Sequence, residues 1–393
     1  MDWDVVVVGA GPAGCFTAMQ IANSGFKVLI IEEHNQIGFP IQCSGLVSPR
    51  VMELANLDDS IIINNLKGLR VLSPLGAQLQ VDCSRVLALA IDRAIFDQKL
   101  CEKAINAGAI LQKGLKATAA QSIPGGYQVT AVDKNDKNYT LNTKILIGAD
   151  GVESNVAAWL GLKHDNLKAV MYSADVELAY SDANLVSVFL GQNFAPGWFG
   201  WIIPLDLKTC RVGIGYALIN SGYSPRHHFQ QLIDCYPQIF KGYKIIRNTG
   251  GTVPLGLMPK IYAPSAMLVG DAASQTKPIS GGGIYMGLRA SQICANVAIQ
   301  ALNDNDFSEK KMSIYQTLWE NETKEETDSA MKLRQSYLKL KDKDIESVIR
   351  FLNKPKYKKL ISKYADIDYP SILAHKLFDY NPWLKVALKI AKI

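Results

Sequence analysis

Gly9, Gly11 and Gly14 stand at the spacing of a phosphate-binding turn, and Glu32 follows at the end of the apolar run 28–31, 23 residues beyond Gly9. Each position has a physical task. Gly9 permits a tight turn, Gly11 lets backbone approach a pyrophosphate with Pro12 and Ala13 at the helix start beside it, and Gly14 lets the helix pack closely on the strand. The helix N-terminus then faces the phosphates. The Glu32 carboxylate is placed to accept hydrogen bonds from a ribose hydroxyl, and its charge opposes a 2′-phosphate. This is dinucleotide chemistry, and the stretch alone leaves open which dinucleotide.

Three further segments narrow the choice. IDRAIFDQKL (91–100) carries Arg93. LIGADGVESNVAAWLG (146–161) places Asp150 beside the flexible Gly151 after a buried strand, where a carboxylate can approach a cofactor. MLVGDAASQTKPISGGGI (267–284) sets Gly270 and Asp271 at a strand end, where the carboxylate can bind a ribityl hydroxyl, and then supplies Gly281, Gly282, Gly283 and the helix start at Ile284. Glycine amides and a helix N-terminus there suit the pyrimidine edge of a flavin.

Together these segments resemble the flavoprotein group that includes aromatic hydroxylases, flavin halogenases and geranylgeranyl reductases, over roughly residues 1–300. The resemblance implies FAD, with Gly9, Gly11, Gly14 and Glu32 at its adenosine end, Arg93 and Asp150 near the dinucleotide, Asp271 at the pyrophosphate–ribityl junction, and 281–283 beside the isoalloxazine. Glu33 is a departure, because the group usually has Lys or Arg after the ribose acid. No second glycine fingerprint follows a strand: Gly213 and Gly215 lack the third glycine. Electrons are therefore expected from a transiently docking NAD(P)H or from a protein such as ferredoxin.

Two features bear on the reaction. FAPGWFGWIIPLDLKTCRVGIG (194–215) resembles the reductase motif YxWxFP followed by GxG, with Phe199, Trp201, Ile203 and Pro204 in its positions and Gly213 and Gly215 eight residues on. Phe replaces Tyr at 199 and Ile replaces Phe at 203, which keeps an apolar wall suited to an extended hydrocarbon. The second feature is Cys43 in PIQCSGL, which with Ser44 and Gly45 resembles the loop near the flavin in archaeal-type geranylgeranyl reductases. A cysteine facing the flavin could orient an alkene or relay a proton; a buried apolar cysteine is the alternative.

The resemblance thus implies an FAD-dependent reductase saturating prenyl double bonds of isoprenoid lipids. Two rivals stay open. A halogenase or monooxygenase shares much of the fold, and the stretch approaches the WxWxIP signature of flavin halogenases; their catalytic lysine motif has no counterpart here, since Lys67 sits in NLKGLR. A flavin- or prenyl-lipid-binding protein without chemistry is the other.

The elements that must position these residues follow from patterning. The expected fold is α/β: a Rossmann-like, three-layer FAD-binding domain (1–68, 90–165, 256–305) interleaved with an antiparallel-sheet substrate domain (69–89, 166–255), followed by a helical region (306–393). Residues 69–81 read as a hairpin, 90–111 as a helix ending at Gly108 and running into a strand, and 224–237 as a helix whose His227 and His228 are solvated. The Lys- and Glu-rich stretch 308–346 reads as a solvated helical face.

A net charge of +6 over 393 residues, with acids and bases mixed, gives no reason to expect a nucleic-acid partner. Seven scattered cysteines without CxxC pairs predict neither disulfides nor zinc, and a reducing cytoplasm. No metal-ligand spacing joins the histidines. The first strand begins so near Met1 that no targeting peptide is expected, and no apolar run reaches the ~18–20 residues of a spanning helix. In PWLKVALKIAKI (382–393), Lys385, Lys389 and Lys392 share one helical face while Leu384, Leu388, Ile390 and Ile393 supply much of the rest, with Trp383 at the start. Such a helix suits either the inner face of an anionic membrane or the protein's own core.

Overall fold

In a computed structural model of the chain, residues 1–163, 167–217 and 222–381 are described. The basic tail 382–393 lies outside them, and so does the expectation attached to it. The architecture is α/β, as its patterning predicts, with two large sheets.

The first sheet grows from the apolar runs. Strands Trp3–Val8, Val28–Glu32 and Asn138–Gly148 carry buried valines, leucines and isoleucines because both faces are covered. Their parallel order is Ala266–Leu268, Asn138–Gly148, Trp3–Val8, Val28–Glu32, Ile110–Lys113. Helices Pro12–Asn23, Arg93–Asn106 and Ile284–Asp304 pack together on one face. Strand Gly126–Asp133 runs antiparallel to the extended end of Asn138–Gly148, Leu115–Ile123 pairs antiparallel to it in turn, and together they form the third layer.

The second sheet has seven strands in the order Lys244–Leu255, Leu167–Glu177, Thr209–Ala217, Gly200–Pro204, Leu185–Phe189, Gly68–Leu72, Gln78–Asp82. All its pairings are antiparallel except that of Leu185–Phe189 with Gly68–Leu72. The expected hairpin is thus an edge of this sheet. Strand Ala88–Ile91 instead joins Leu46–Val47 and Ile62–Leu66 in a small third sheet.

Two local expectations are corrected. His228 is buried, with its ring 4.6 Å from that of Tyr216, because the helix Pro225–Cys235 turns that face onto the sheet and leaves His227 outward. The charged stretch after 308 is not one solvated face: helix Glu309–Tyr337 buries Met312, Tyr315, Trp319 and even Arg334, whose guanidinium lies 4.3 Å over the Trp198 ring. Tyr315 also pins the glycine turn below it. Its hydroxyl donates to the Leu268 carbonyl at 2.9 Å and receives Gln275 Nε2 at 2.7 Å, while the Gln275 carbonyl oxygen accepts the Gly270 amide at 2.7 Å.

The glycine turn at 9–14 is set by backbone contact. Gly9 has φ +104°, and a Cβ there would lie 2.3 Å from the Ala149 carbonyl oxygen; at Gly14 it would lie 2.1 Å from the Gly9 carbonyl oxygen. At Gly11, by contrast, an added Cβ meets nothing within 4 Å. Gly14→Ala is expected to destabilise the protein by about 3 kcal/mol in urea unfolding, as overpacking against backbone does, whereas Gly11→Ala leaves stability near wild type.

Candidate functional site

Two uncapped helix N-termini face the same region of the first sheet. Helix Pro12–Asn23 begins at Gly11, in extended conformation with no side-chain cap, and helix Ile284–Asp304 begins at Gly283, also without one. Their first amides are thus left to an external acceptor. Ser291 Oγ donates to the Ala13 carbonyl oxygen at 3.0 Å and ties the two helices together. Glu32 is held across the turn, its Oε2 accepting the Ala10 amide at 2.8 Å and its Oε1 the His34 amide at 2.9 Å. Open space at Gly11, an oriented carboxylate beside it and two uncapped helix starts are a donor set that fits a dinucleotide.

Not every residue singled out by sequence joins this set. Glu33 points outward and pairs with Lys116 at 3.2 Å. The Asp150 carboxylate turns back on its own chain, accepting the Ser154 hydroxyl and the Val156 amide at 3.0 Å, so it orders the start of helix Asn155–Trp159. Arg93 forms a bidentate pair with Asp97 at 3.0 Å. Burial works against its charge, yet the Asp97 carboxylate holds the guanidinium protonated above its ordinary range.

Asp271 lies in the 3₁₀ turn Gly270–Ala273, next to Gly283: a Cβ at 283 would sit 2.9 Å from Asp271 Oδ1. Burial pushes its carboxyl up to about 6, with Arg93 pulling the other way.

The Cys43 loop, the glycine loop and the second sheet meet at a cavity of about 350 Å³. Cys43, Ser44, Gly281, Gly282, Gly283 and Ile284 line one part of it, and Phe199, Trp201 and Ile203 another. Leu66, Leu69, Val186, Val188 and Met171 complete an apolar wall. Pro204 is not part of the lining; its carbonyl oxygen accepts Asn64 Nδ2 at 2.9 Å and closes the strand end. Gly45 lies behind the loop with φ +63°, where a Cβ would meet the Ile91 carbonyl and the Arg211 guanidinium.

The spacing of the aromatic motif has a physical cause. Antiparallel register sets Trp201 directly opposite Gly213, and a Cβ there would lie 2.2 Å from the Trp201 ring; at Gly215 it would lie 2.2 Å from the Trp198 ring. The two glycines are the floor on which two indoles lie. Trp198 in turn stacks on Phe199, with ring centroids 5.5 Å apart and planes at 14°. Sequence reasoning passed over Trp198, although its place before the motif was the available signal.

Arg211 joins the sheet to the loop. It is 5% exposed, donates Nε to Asp175 at 2.7 Å and donates a terminal N–H to the Ser44 carbonyl at 2.7 Å. Arg247 binds the other Asp175 oxygen at 2.6 Å. These groups line a second, smaller cavity that shares Cys43 with the first. The residues missed altogether come from the C-terminal region: Asp366 and Asp368 line the large cavity with Lys277. Only the fold brings them there.

Among the described residues no His, Cys, Asp and Glu cluster could hold a metal, and all seven cysteines are free. No described helix is long and apolar enough to cross a membrane.

Comparison with known proteins agrees with the geometry. The FAD binding domain family matches residues 2–212. The digeranylgeranylglycerophospholipid reductase of Methanocaldococcus jannaschii is 32% identical over 370 residues, covering 89% of this chain and 90% of that protein. The enzyme of the same name from Methanosarcina acetivorans is 31% identical, covering 91% and 90%. A solved structure, a geranylgeranyl bacteriochlorophyll reductase-like protein from Thermoplasma acidophilum, superposes with a TM-score of 0.85 at 25% identity, covering 96% of this chain and 98% of that one. Fingerprint, uncapped helices and relatives agree: the chain is an FAD-dependent oxidoreductase of the geranylgeranyl reductase family.

Proposed function

We propose that this protein saturates C=C bonds in the geranylgeranyl or related prenyl chains of an isoprenoid lipid. The observation that carries the reading is the cavity itself. It is walled by Phe199, Trp201, Ile203 and aliphatic side chains and reaches the Cys43 and glycine loops, so a hydrocarbon chain can be drawn to the cofactor along a mainly apolar surface. Relatives named as digeranylgeranylglycerophospholipid reductases support the same substrate class.

FAD would be held by Gly9, Gly11, Pro12, Ala13, Gly14 and Glu32 at one end, and by Gly270, Asp271, 281–283 and Ile284 at the other. Reduced FAD supplies a hydride when bound, and saturation of one alkene needs that hydride at one carbon and a proton at the other. Electrons would come from a transient NAD(P)H or from a ferredoxin. The apolar wall orients the chain and excludes water. Cys43, at the junction of both cavities, is the group we place beside the alkene to orient it and relay the proton. Asp271 would accept a hydrogen bond from the ribityl chain, and the close approach of Gly283 leaves its Oδ1 little room to move. Peripheral contact with a membrane surface would bring such a lipid to the cavity.

Dithionite-reduced holoenzyme, incubated anaerobically with geranylgeranylated glycerophospholipid, is expected to yield lipid heavier by two hydrogens per reduced bond in mass spectrometry. Lipid of unchanged mass would leave only the cofactor assignment. Cys43→Ala is expected to lower single-turnover reduction about 10²-fold, the range of a lost proton relay, with FAD retained; unchanged turnover would dismiss the role.

The raised Asp271 carboxyl makes a second, pH-linked expectation. With its folded pKa near 6 and the ordinary value 3.8, the folded protein binds the extra proton between those values. Its contribution is therefore complete below about 4 and is lost as pH rises through about 6. Comparing pH-dependent unfolding of Asp271→Asn with wild type should show the difference between them changing by about 3 kcal/mol across that window, at 1.36 kcal/mol per pKa unit. A constant difference would contradict the assignment.

A further inference from the structure

The glycine loop carries a cation that a dinucleotide fingerprint does not require. Lys277 is 6% exposed, and its Nζ donates to Asp368 Oδ1 and to the Ile367 carbonyl oxygen, each at 3.0 Å. Its side chain crosses Gly282 so closely that a Cβ there would lie 2.6 Å from Cε and 3.0 Å from Nζ. The loop is fastened around it: the Gly281 amide donates to the Lys277 carbonyl at 2.8 Å, and the Lys277 amide to the Gly282 carbonyl at 3.2 Å. An ammonium over Gly282 and the Asp271 carboxylate over Gly283 thus stand on consecutive glycines, at the start of helix Ile284–Asp304.

The counter-ion comes from far along the chain. Asp368 is fully buried, and its second oxygen accepts Arg50 at 3.1 Å; Asp366 takes Arg50 through both oxygens, at 2.7 and 2.9 Å. Lys277 and the two carboxylates therefore lie in the wall of the mainly apolar cavity, and Arg50, outside that wall, binds both carboxylates. A buried ammonium needs such a partner, so the pair by itself is compatible with a purely structural latch. Its place on the glycine loop gives it a second consequence.

We propose that Lys277 is a positioning residue for charge, whose ammonium, moderated by Asp368, sets the reduction potential of FAD bound along 281–283. The inference rests on the reading that this loop faces the pyrimidine edge of the ring. Uptake of two electrons and one proton by flavin leaves one net negative charge there (FAD + 2e⁻ + H⁺ → FADH⁻). A cation beside that edge favours the reduced form, and a carboxylate beside the cation disfavours it. The lysine and its counter-ion therefore act with opposite sign.

That sign separates the two roles. A latch that only held 366–368 against the loop would be loosened by loss of either partner, so Lys277→Met and Asp368→Asn would behave alike. We expect the FAD-loaded Lys277→Met protein, titrated with redox dyes without lipid, to show at least a tenfold lower ratio of reduced to oxidised flavin at a fixed potential. For a two-electron couple this is a fall of about 30 mV. Asp368→Asn should move the ratio in the opposite direction, and Lys277→Arg should stay within threefold of wild type. Unchanged ratios, or shifts of the same sign in both variants, overturn the proposal. Should Lys277→Met fail to retain FAD, Asp368→Asn decides alone: a raised ratio sustains the proposal, and an unchanged or lowered one overturns it. No lipid enters the titration, so a wrong substrate class would appear as absent turnover with these potentials intact.

Discussion

The site depends on a contact with no room for a side chain: Gly14, in the first turn of helix Pro12–Asn23, rests on the Gly9 carbonyl, while Gly9 rests on the Ala149 carbonyl. Backbone meeting backbone locks the helix to the parallel strands at the one place where its free amides must point at a ligand. Gly11, between them, is left open. Everything that approaches the cofactor region is referred to this fixed point: Glu32 through the Ala10 amide, helix Ile284–Asp304 through Ser291 and the Ala13 carbonyl, and the Gly270 turn, where a Cβ would sit 2.9 Å from that of Ala13.

Around that anchor the chain assembles a cavity from segments far apart in sequence. The Cys43 loop is held by Arg211, which reaches from the antiparallel sheet to the Ser44 carbonyl. The aromatic wall packs tightly because Gly213 and Gly215 let the indoles of Trp201 and Trp198 lie on the neighbouring strand. The C-terminal region closes the far side through the Arg50, Asp366, Asp368 and Lys277 network. A cofactor domain, a hydrocarbon wall and an ionic strap thus share one space, and the strap ties residues 366–368 to the loop that begins the last cofactor helix.

Much of this was legible in the sequence because it rests on local chemistry. The glycine turn, the apolar parallel strands, the hairpin at 69–81 and the aromatic motif each follow from residues close together in the chain. Elements that depend on distant partners were not legible. Nothing near His228 announces the sheet that buries it, and nothing near Asp368 announces Lys277, which lies 91 residues earlier. The partners of Asp150 were not legible either: the Ser154 hydroxyl and the Val156 amide bind its oxygens and tie it to the start of helix Asn155–Trp159. Gly282 is a subtler case, since the space beside its α-carbon is filled by Lys277 on the face where a fingerprint glycine suggests open room.

Under the proposed function, reduced flavin in this site gives its electrons to an isolated alkene. The most direct measurement is the oxidised-flavin absorbance of anaerobically reduced, FAD-loaded protein after addition of geranylgeranylated lipid. Recovery of that absorbance with no oxygen present, in proportion to the double bonds lost, is the expected result. Absorbance that stays bleached until oxygen is admitted would contradict the account and favour the oxygen-using chemistry of a halogenase or monooxygenase.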